Sequence, residues 1–272
     1  MSREPAVAGQ FYPAREAELR RMIEECTPKV GTREKVLGAL APHAGYVFSG
    51  ATAGKVFASI EIPATVVILN PSHNYYGPDC ALWTGGAWET PLGEVALRDD
   101  LCSALSKLGC VAEDDSVHIP EHSGEVVLPF IQYHRPDVRI AVICVTSSAT
   151  TRRLVELGQG IKTALSQCGQ DDGLVVASSD MSHEHGANVV DHVKKQDAMA
   201  IAQMEKLDAE GLVKTCRNNN ITMCGVLPAA AMMASVRARG GKEGVLLGRA
   251  TSADSPHGRG NYVVGYAGMI FK

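Results

Sequence analysis

The chain has no long apolar run and no excess of positive charge. None of its 272 residues fall in an uninterrupted apolar segment of the roughly 18 residues that a membrane helix needs. The 26 basic and 30 acidic side chains give a net charge of −4, which provides no positive field for nucleic acid or anionic lipid. The opening residues lack the apolar core of a secretory signal. We therefore expect a cytoplasmic protein that binds neither nucleic acid nor membranes.

Paired cysteines and the common catalytic motifs are also missing. The eight cysteines stand singly, without a C-x-x-C pair, so we expect free thiols in a reducing compartment. The sequence contains no G-x-x-x-x-G-K-[ST] phosphate loop, no H-E-x-x-H zinc helix, no G-x-S-x-G elbow and no zinc-finger spacing. These absences exclude the corresponding nucleotide-binding, protease, esterase and finger classes.

Buried strands alternate with helical segments along the whole sequence. The main predicted strands are 36–42, 65–71, 138–146, 174–179, 245–252 and 262–271, with short ones at 80–84 and 94–97. The predicted helices are 14–26, 50–59, 99–108, 122–134, 150–167, 189–205, 208–216 and 225–238. Such alternation is typical of βαβ units. It predicts one α/β domain over residues 1–272, with a mostly parallel central sheet flanked by helices.

Titratable side chains follow three of the predicted strands. His43 comes just after the first strand, His73 just after the second, and Asp180 and His183 just after the strand at 174–179. The carboxyl ends of parallel strands meet at one edge of a sheet, where ligands bind. A capping role would explain any one of these histidines, but the repeated placement indicates a site.

Two further segments are candidates for the same site. Cys224 lies where a polar stretch becomes an apolar helix, and a helix N-terminus lowers the pKa of a thiol, favouring a nucleophilic or metal-binding thiolate. Glu121 and His122 precede the helix that Ser123 could cap, and they form either a plain cap or part of the site. Tyrosines at 46, 75 and 76 either line a pocket or simply pack. We expect the remaining histidines at the surface or around the site, namely His118, His134, His185, His192 and His257.

Several motifs occur together in an order that resembles the MEMO family. They are REPAVAGQFYP, APHAGYVFSG, NPSHNYYG, EHSGEVVLPF, SSDMSHE, CGVLPAAAMM and YVVGYAGM, and together they cover about residues 3–271. The resemblance implies a fold similar to the catalytic subunit of class III extradiol ring-cleaving dioxygenases. It also implies, in prokaryotes, a gene neighbourhood with a radical SAM protein and a small partner domain, the AmmeMemoRadiSam set.

The resemblance implies one metal ion per chain, bound by His43, His73 and Cys224. His183 matches the acid/base histidine of the dioxygenases, Asp180 orients this region, and His122 joins them in the catalytic set. The dioxygenases use two histidines and a carboxylate on ferrous iron. A cysteine in the third position suits iron or copper, with zinc as an alternative, and ring cleavage is therefore not inherited from the fold.

Three functions remain open from the sequence. The first is a metal-dependent, dioxygenase-like oxidoreductase on a small aromatic or phenolic substrate, with His183 as general acid/base and Glu121 and His122 contacting the ligand histidines. The second is a non-catalytic adaptor that binds a peptide, a phosphopeptide or its neighbourhood partners in the same cavity. The third is a hydrolase with Cys224 as nucleophile, which requires a free thiolate.

Overall fold

The structure is a computed structural model that describes residues 2–74, 77–258 and 261–272. Tyr75 and Tyr76, two of the predicted pocket residues, lie outside the described residues. The described helices are α1 (Glu16–Cys26), α2 (Tyr46–Ser59), α3 (Asp99–Leu105), α4 (Ser123–His134), α5 (Thr151–Gln167), α6 (Val190–Glu205), α7 (Ala209–Asn218) and α8 (Val226–Ala238).

The described strands are more numerous than the sequence predicts, and some are shorter, while β2 and β11 have the predicted bounds. They are β1 (Gly38–Ala41), β2 (Thr65–Pro71), β3 (Cys80–Leu82), β4 (Trp88–Thr90), β5 (Gly93–Val95), β6 (Ala112–Glu113), β7 (Arg139–Val145), β8 (Leu174–Ser178), β9 (His183–His185), β10 (Gly244–Thr251) and β11 (Tyr262–Phe271). The predictions missed β4, β6 and β9, which have only two or three residues each and therefore carry little periodic pattern.

One sheet forms the centre of the molecule. Its strand order is β10-β11-β1-β8-β2-β7-β3-β6, and β9 pairs with β11. The four central strands β1, β8, β2 and β7 run parallel. Strands β11 and β3 flank them in antiparallel orientation. The predicted α/β class with a mostly parallel central sheet is confirmed.

Helices cover both faces of this sheet. Helices α2 and α4, with α1 outside them, lie on one face, while α8, α5 and α7 lie on the other. The central strands are apolar on both sides for this reason, and β2 is buried along its whole length. At Gly158 a side chain would collide with α8, so glycine is needed there for α5 to pack closely on it. The result is a three-layer arrangement that presents the carboxyl ends of the central strands at one edge.

Candidate functional site

The ends of three neighbouring parallel strands position the site. Strands β1, β2 and β8 end at Ala41, Pro71 and Ser178. The pairing of Ala41 with Ser178 keeps the ends of β1 and β8 level. His43, His73 and Asp180 are each the second residue after their strand. The structure thus brings these three predicted site residues to one edge of the sheet.

Three imidazole rings converge at this edge. One ring nitrogen from each of His43, His73 and His122 lies within 4.8 Å of the others. The rings of His73 and His122 stack with their centroids 4.7 Å apart. The His43 ring stands edge-on to both, at 5.4 Å from His73 and 5.6 Å from His122. His122 precedes α4, so the start of that helix delivers the third ring.

The hydrogen bonds of His43 determine which of its nitrogens carries the proton. Its Nδ1 lies 2.8 Å from the hydroxyl oxygen of Ser178. That hydroxyl already donates to the carbonyl of Ser123 at 2.7 Å, so it accepts from His43. Nδ1 of His43 therefore holds the proton, and Nε2 presents its lone pair to the site. Burial lowers the pKa of His43 well below its usual value, and the neighbouring rings of His122 and His73 lower it further.

Glu121 orients His73 as Ser178 orients His43, through a hydrogen bond to Nδ1. Its carboxylate accepts from the His73 backbone N–H at 2.6 Å and from Nδ1 at 2.8 Å, so in the neutral ring Nδ1 carries the proton and Nε2 does not. Ser123 donates to the same carboxylate through its backbone N–H and its hydroxyl. Burial raises the pKa of Glu121, but these hydrogen bonds and the His73 ring outweigh it and hold the pKa at about 2. Burial lowers the pKa of His73, but the hydrogen bond and the negative charge of Glu121 outweigh burial, so the pKa of His73 is raised.

Cys224 lies beside His43 and not within the histidine cluster. Its Sγ is 3.3 Å from Nε2 of His43 and accepts from the backbone N–H of Asp180 at 3.3 Å. Burial, together with the carboxylate of Asp180, raises the pKa of the Cys224 thiol far above its usual value. This direction is opposite to the lowering predicted from the helix N-terminus, because desolvation outweighs the hydrogen bonds that the thiol receives from Asp180, Ser179 and Gly225. All eight cysteines are free, as the sequence predicts.

Asp180 holds the turn that carries His43. Its Oδ1 accepts from the backbone N–H groups of His43 at 2.9 Å and of Ala44 at 3.2 Å. The side chain is buried, and burial raises the pKa of its carboxyl group. Asp180 thus lies where the sequence predicts an orienting residue.

His183 lies on β9, at the wall of the same cavity. Its Nδ1 donates to the carbonyl of Thr222 at 3.2 Å, and its backbone N–H donates to the Thr222 hydroxyl at 2.7 Å. A carbonyl oxygen can only accept, so Nδ1 is the nitrogen that carries the proton in neutral His183. Nε2 is then free to accept a hydrogen bond from a ligand. Strand β9 pairs with β11, opposite Val264, which fixes the backbone of His183.

The rings and His183 surround one cavity of about 730 Å³. Its walls combine the polar groups with aromatic and aliphatic side chains, chiefly Phe11, Val47, Phe48, Tyr262 and Tyr266. Phe11 packs edge-on against His122, with ring centroids 4.9 Å apart. A volume of this size, with an apolar wall and a few convergent polar groups, fits a small organic ligand.

Sequence reasoning misplaced His118 and overlooked some partners of the site residues. His118, predicted at the surface or around the site, is completely buried and donates from Nε2 to the carbonyl of Ala81 at 3.0 Å. His257, by contrast, is exposed and lines the cavity, which agrees with the prediction. Ser178 and Thr222 were missed, although Ser178 is in the same motif as Asp180. Thr222 carries no motif, and its hydrogen bonds join it to His183, 39 residues away in the sequence.

In residues 2–74, 77–258 and 261–272, no helix has both the length and the apolar character to cross a membrane.

Comparison with known proteins agrees with the motifs over the whole chain. A family model described as Memo-like protein matches residues 3–270. A MEMO1 family protein of Methanopyrus kandleri is 40% identical over 288 residues, covering 100% of this chain and 99% of the relative. One from Aquifex aeolicus is 38% identical, covering 99% and 98%.

A solved structure supports the fold independently. The crystal structure of an uncharacterized protein, JW3007, of Escherichia coli K12 superposes with a TM-score of 0.53. The match covers 86% of this chain and 99% of that chain at 13% identity, which bears on the fold alone. With the family model matching residues 3–270 and relatives near 40% identity, the chain belongs to the Memo-like protein family.

Proposed function

We propose that the chain is a metal-dependent oxidoreductase that acts on a small aromatic or phenolic molecule. The observation that carries this is the convergence of His43, His73 and His122 at the wall of the cavity. Two of these rings are held by Ser178 and Glu121 so that their Nε2 lone pairs are available. Fixing the tautomer of a ligand histidine from behind is typical of metal sites.

The proposed ligands are His43, His73 and Cys224. Two ligands of one tetrahedral ion, a sulfur and a nitrogen, lie about 3.5 Å apart, given usual bond lengths. The observed distance of 3.3 Å between Cys224 Sγ and His43 Nε2 is close to this value. His122 is the alternative third ligand, because its ring also faces His43 and His73.

The donor set suits one ion of iron or copper, with zinc as the alternative. Imidazole binds all three metals, and a thiolate favours the softer ions. When bound, the ion supplies Lewis-acid or redox chemistry at the cavity wall. Binding requires loss of the Cys224 proton, so the affinity rises with pH.

The other residues have separate roles in this proposal. His183 accepts a proton at Nε2 from a phenolic substrate, because Thr222 occupies its Nδ1. Asp180 is a positioning residue that keeps the His43 turn in place. The aromatic wall, with Phe11 and Tyr262, holds the substrate ring and displaces water from the site.

The test is the metal content of protein purified without tags or chelators. We expect about one ion per chain in the wild type and loss of the ion in His43→Ala, His73→Ala and Cys224→Ala. His192→Ala, on the exposed side of α6, is the matched control and keeps the ion. Loss in His122→Ala with retention in Cys224→Ala would make His122 the third ligand. A wild type that binds no stoichiometric Fe(II), copper or zinc overturns the proposal.

A binding role is the second candidate, since two exposed apolar side chains line the cavity. Val47 is 46% exposed and Tyr262 is 38% exposed. Both suit contact with a peptide or with the radical SAM and small partner proteins that the family resemblance implies. A metal-loaded protein that captures such a partner through Val47 and consumes no oxygen with catechols would favour this role.

The hydrolase alternative has less support. A cysteine nucleophile needs a thiolate paired with a protonated base. Here burial favours the neutral forms of both Cys224 and His43.

A further inference from the structure

Arg3 is a buried cation that does not line the cavity of the site. Its side chain is 2% exposed, and its guanidinium lies 4.2 Å from the centre of the Trp88 ring. Its backbone pairs with residues on either side of Trp88, accepting from the Glu89 N–H and donating to the Ala87 carbonyl, both at 2.8 Å. The backbone contacts therefore fix Arg3 independently of its charge.

Each nitrogen of the guanidinium has a different partner in the segment before and within α4. Nε donates to the carbonyl of His118 at 2.8 Å, and Nη2 donates to the carbonyl of Glu121 at 2.6 Å. Nη1 forms an ion pair with Glu125 at 2.9 Å. A planar fork is required to reach three such acceptors, and a lysine ammonium cannot reproduce it.

Glu125 ties the amino-terminal segment to the same turn. Its carboxylate is fully buried and accepts from the backbone N–H groups of Ala6 and Val7 at 2.8 Å and 3.0 Å. The Tyr12 hydroxyl donates to it at 2.6 Å. The segment that Glu125 holds also supplies Phe11, which packs on His122.

A contribution to stability does not explain this pair well. Desolvating two charges costs several kcal/mol, and buried ion pairs are often no more stabilising than apolar side chains of the same size. The contacts instead converge on the residues that shape the site, because Glu121 orients His73 and the next residue is His122.

We propose that Arg3, together with Glu125, is a positioning residue for the metal site. It fixes the Glu121–His122 turn, and through Glu121 it fixes the ring of His73. The effect of Arg3 on metal binding rests on the proposed function. Its effect on the orientation of the rings does not, because the rings are also oriented in the metal-free chain.

The test compares Arg3→Lys with the wild type. Arg15→Lys is the control, since Arg15 lies in the same segment with 83% of its side chain exposed. We expect Arg3→Lys to weaken Co(II) binding by roughly 10-fold to 100-fold and to change the visible spectrum of the cobalt complex. The control keeps the affinity and the spectrum of the wild type.

A second measurement needs no metal. In metal-free protein labelled with ¹⁵N-histidine, we expect the imidazole signals of His73 and His122 to move in Arg3→Lys while the His192 signal stays. A folded Arg3→Lys protein with unchanged imidazole signals overturns the positioning role, even if its melting temperature falls. A wild type that binds neither cobalt nor stoichiometric Fe(II), copper or zinc overturns the proposed function, and the imidazole signals then decide the role of Arg3 alone.

Discussion

Glu121 forms two hydrogen bonds with His73, accepting from its backbone N–H at 2.6 Å and from its ring Nδ1 at 2.8 Å. A single carboxylate, 1% exposed, thus sets both the turn after β2 and the rotation of the imidazole. The ring cannot turn without leaving a buried carboxylate short of a donor, which costs about 1–3 kcal/mol or more. The orientation of His73 is therefore built in before any ligand arrives.

Replacing Glu121 by glutamine tests this arrangement. Glutamine keeps the volume but offers one acceptor oxygen where the native residue has two, so His73 and Ser123 lose part of their hydrogen bonding. We expect metal affinity to fall roughly 10-fold to 100-fold, measured by competition with a chromophoric chelator. Glu113→Gln, at an exposed position, is the control. Equal affinities in the two variants would contradict the role of Glu121.

His183→Gln separates metal binding from turnover. Because His183 lines the cavity and its Nδ1 is engaged by Thr222, we expect the variant to keep its metal. Oxygen uptake with a phenolic substrate should fall about 10²-fold to 10⁴-fold, as for loss of a general acid or base. His192→Gln should keep the full rate. Unchanged oxygen uptake in His183→Gln would remove this residue from the reaction.

The buried His118 predicts a specific dependence of stability on pH. Burial lowers its pKa from 6.5 to about 4, so the unfolded chain binds a proton more readily than the folded protein. The contribution of neutral His118 to the free energy of unfolding is fully present above pH 6.5 and is lost as the pH falls toward 4. At about 1.4 kcal/mol for each tenfold change in proton affinity, the loss is about 3 kcal/mol.

The measurement is guanidinium unfolding of the wild type and of His118→Gln at neutral and acidic pH. Glutamine retains a donor for the Ala81 carbonyl and cannot be protonated. We expect the wild type to lose about 3 kcal/mol more than the variant between the two conditions. An equal loss of unfolding free energy in the two proteins would show that His118 does not cause the pH dependence.

Gly265→Ala tests the packing behind His183. A Cβ at this position would clash with the carboxylate of Asp197, which accepts from the Ser182 N–H at 3.0 Å. We expect a loss of about 1–3 kcal/mol in unfolding free energy, as for an overpacked core. Gly31→Ala, where nothing lies within 4 Å of the new methyl group, should change stability little. A fully stable Gly265→Ala protein would show that Asp197 can move aside.

The position of the site follows from local patterns in the sequence. His43, His73 and Asp180 each follow a run of buried apolar residues, and parallel pairing brings such positions together. The geometry inside the site is harder to predict. Whether His122 or Cys224 lies closer to His43 depends on how the turns before α4 and α8 pack on the sheet, and local patterns do not specify that packing.

Local sequence patterns also failed to predict which side chains are buried. A cysteine before a helix suggests a low pKa, but Cys224 is buried against the main chain of Asp180 and the hydroxyl of Ser179, with the Asp180 carboxylate nearby. Similarly, nothing near His118 in the sequence predicts that Arg3 and Trp88 would enclose it. These contacts join residues far apart in the chain, which a local pattern cannot encode.

The position of β1 has a consequence for synthesis on the ribosome. This early strand lies between β8 and β11, so both of its neighbours are translated long after it. Once β8 has paired with β1 and β2, β1 still exposes an unpaired edge until β11 emerges, and such an edge can pair with a strand of another nascent chain. The site edge, formed by β1, β2 and β8, thus assembles before the sheet is closed. The open edge of β1 is protected against aggregation only when β11 is inserted beside it.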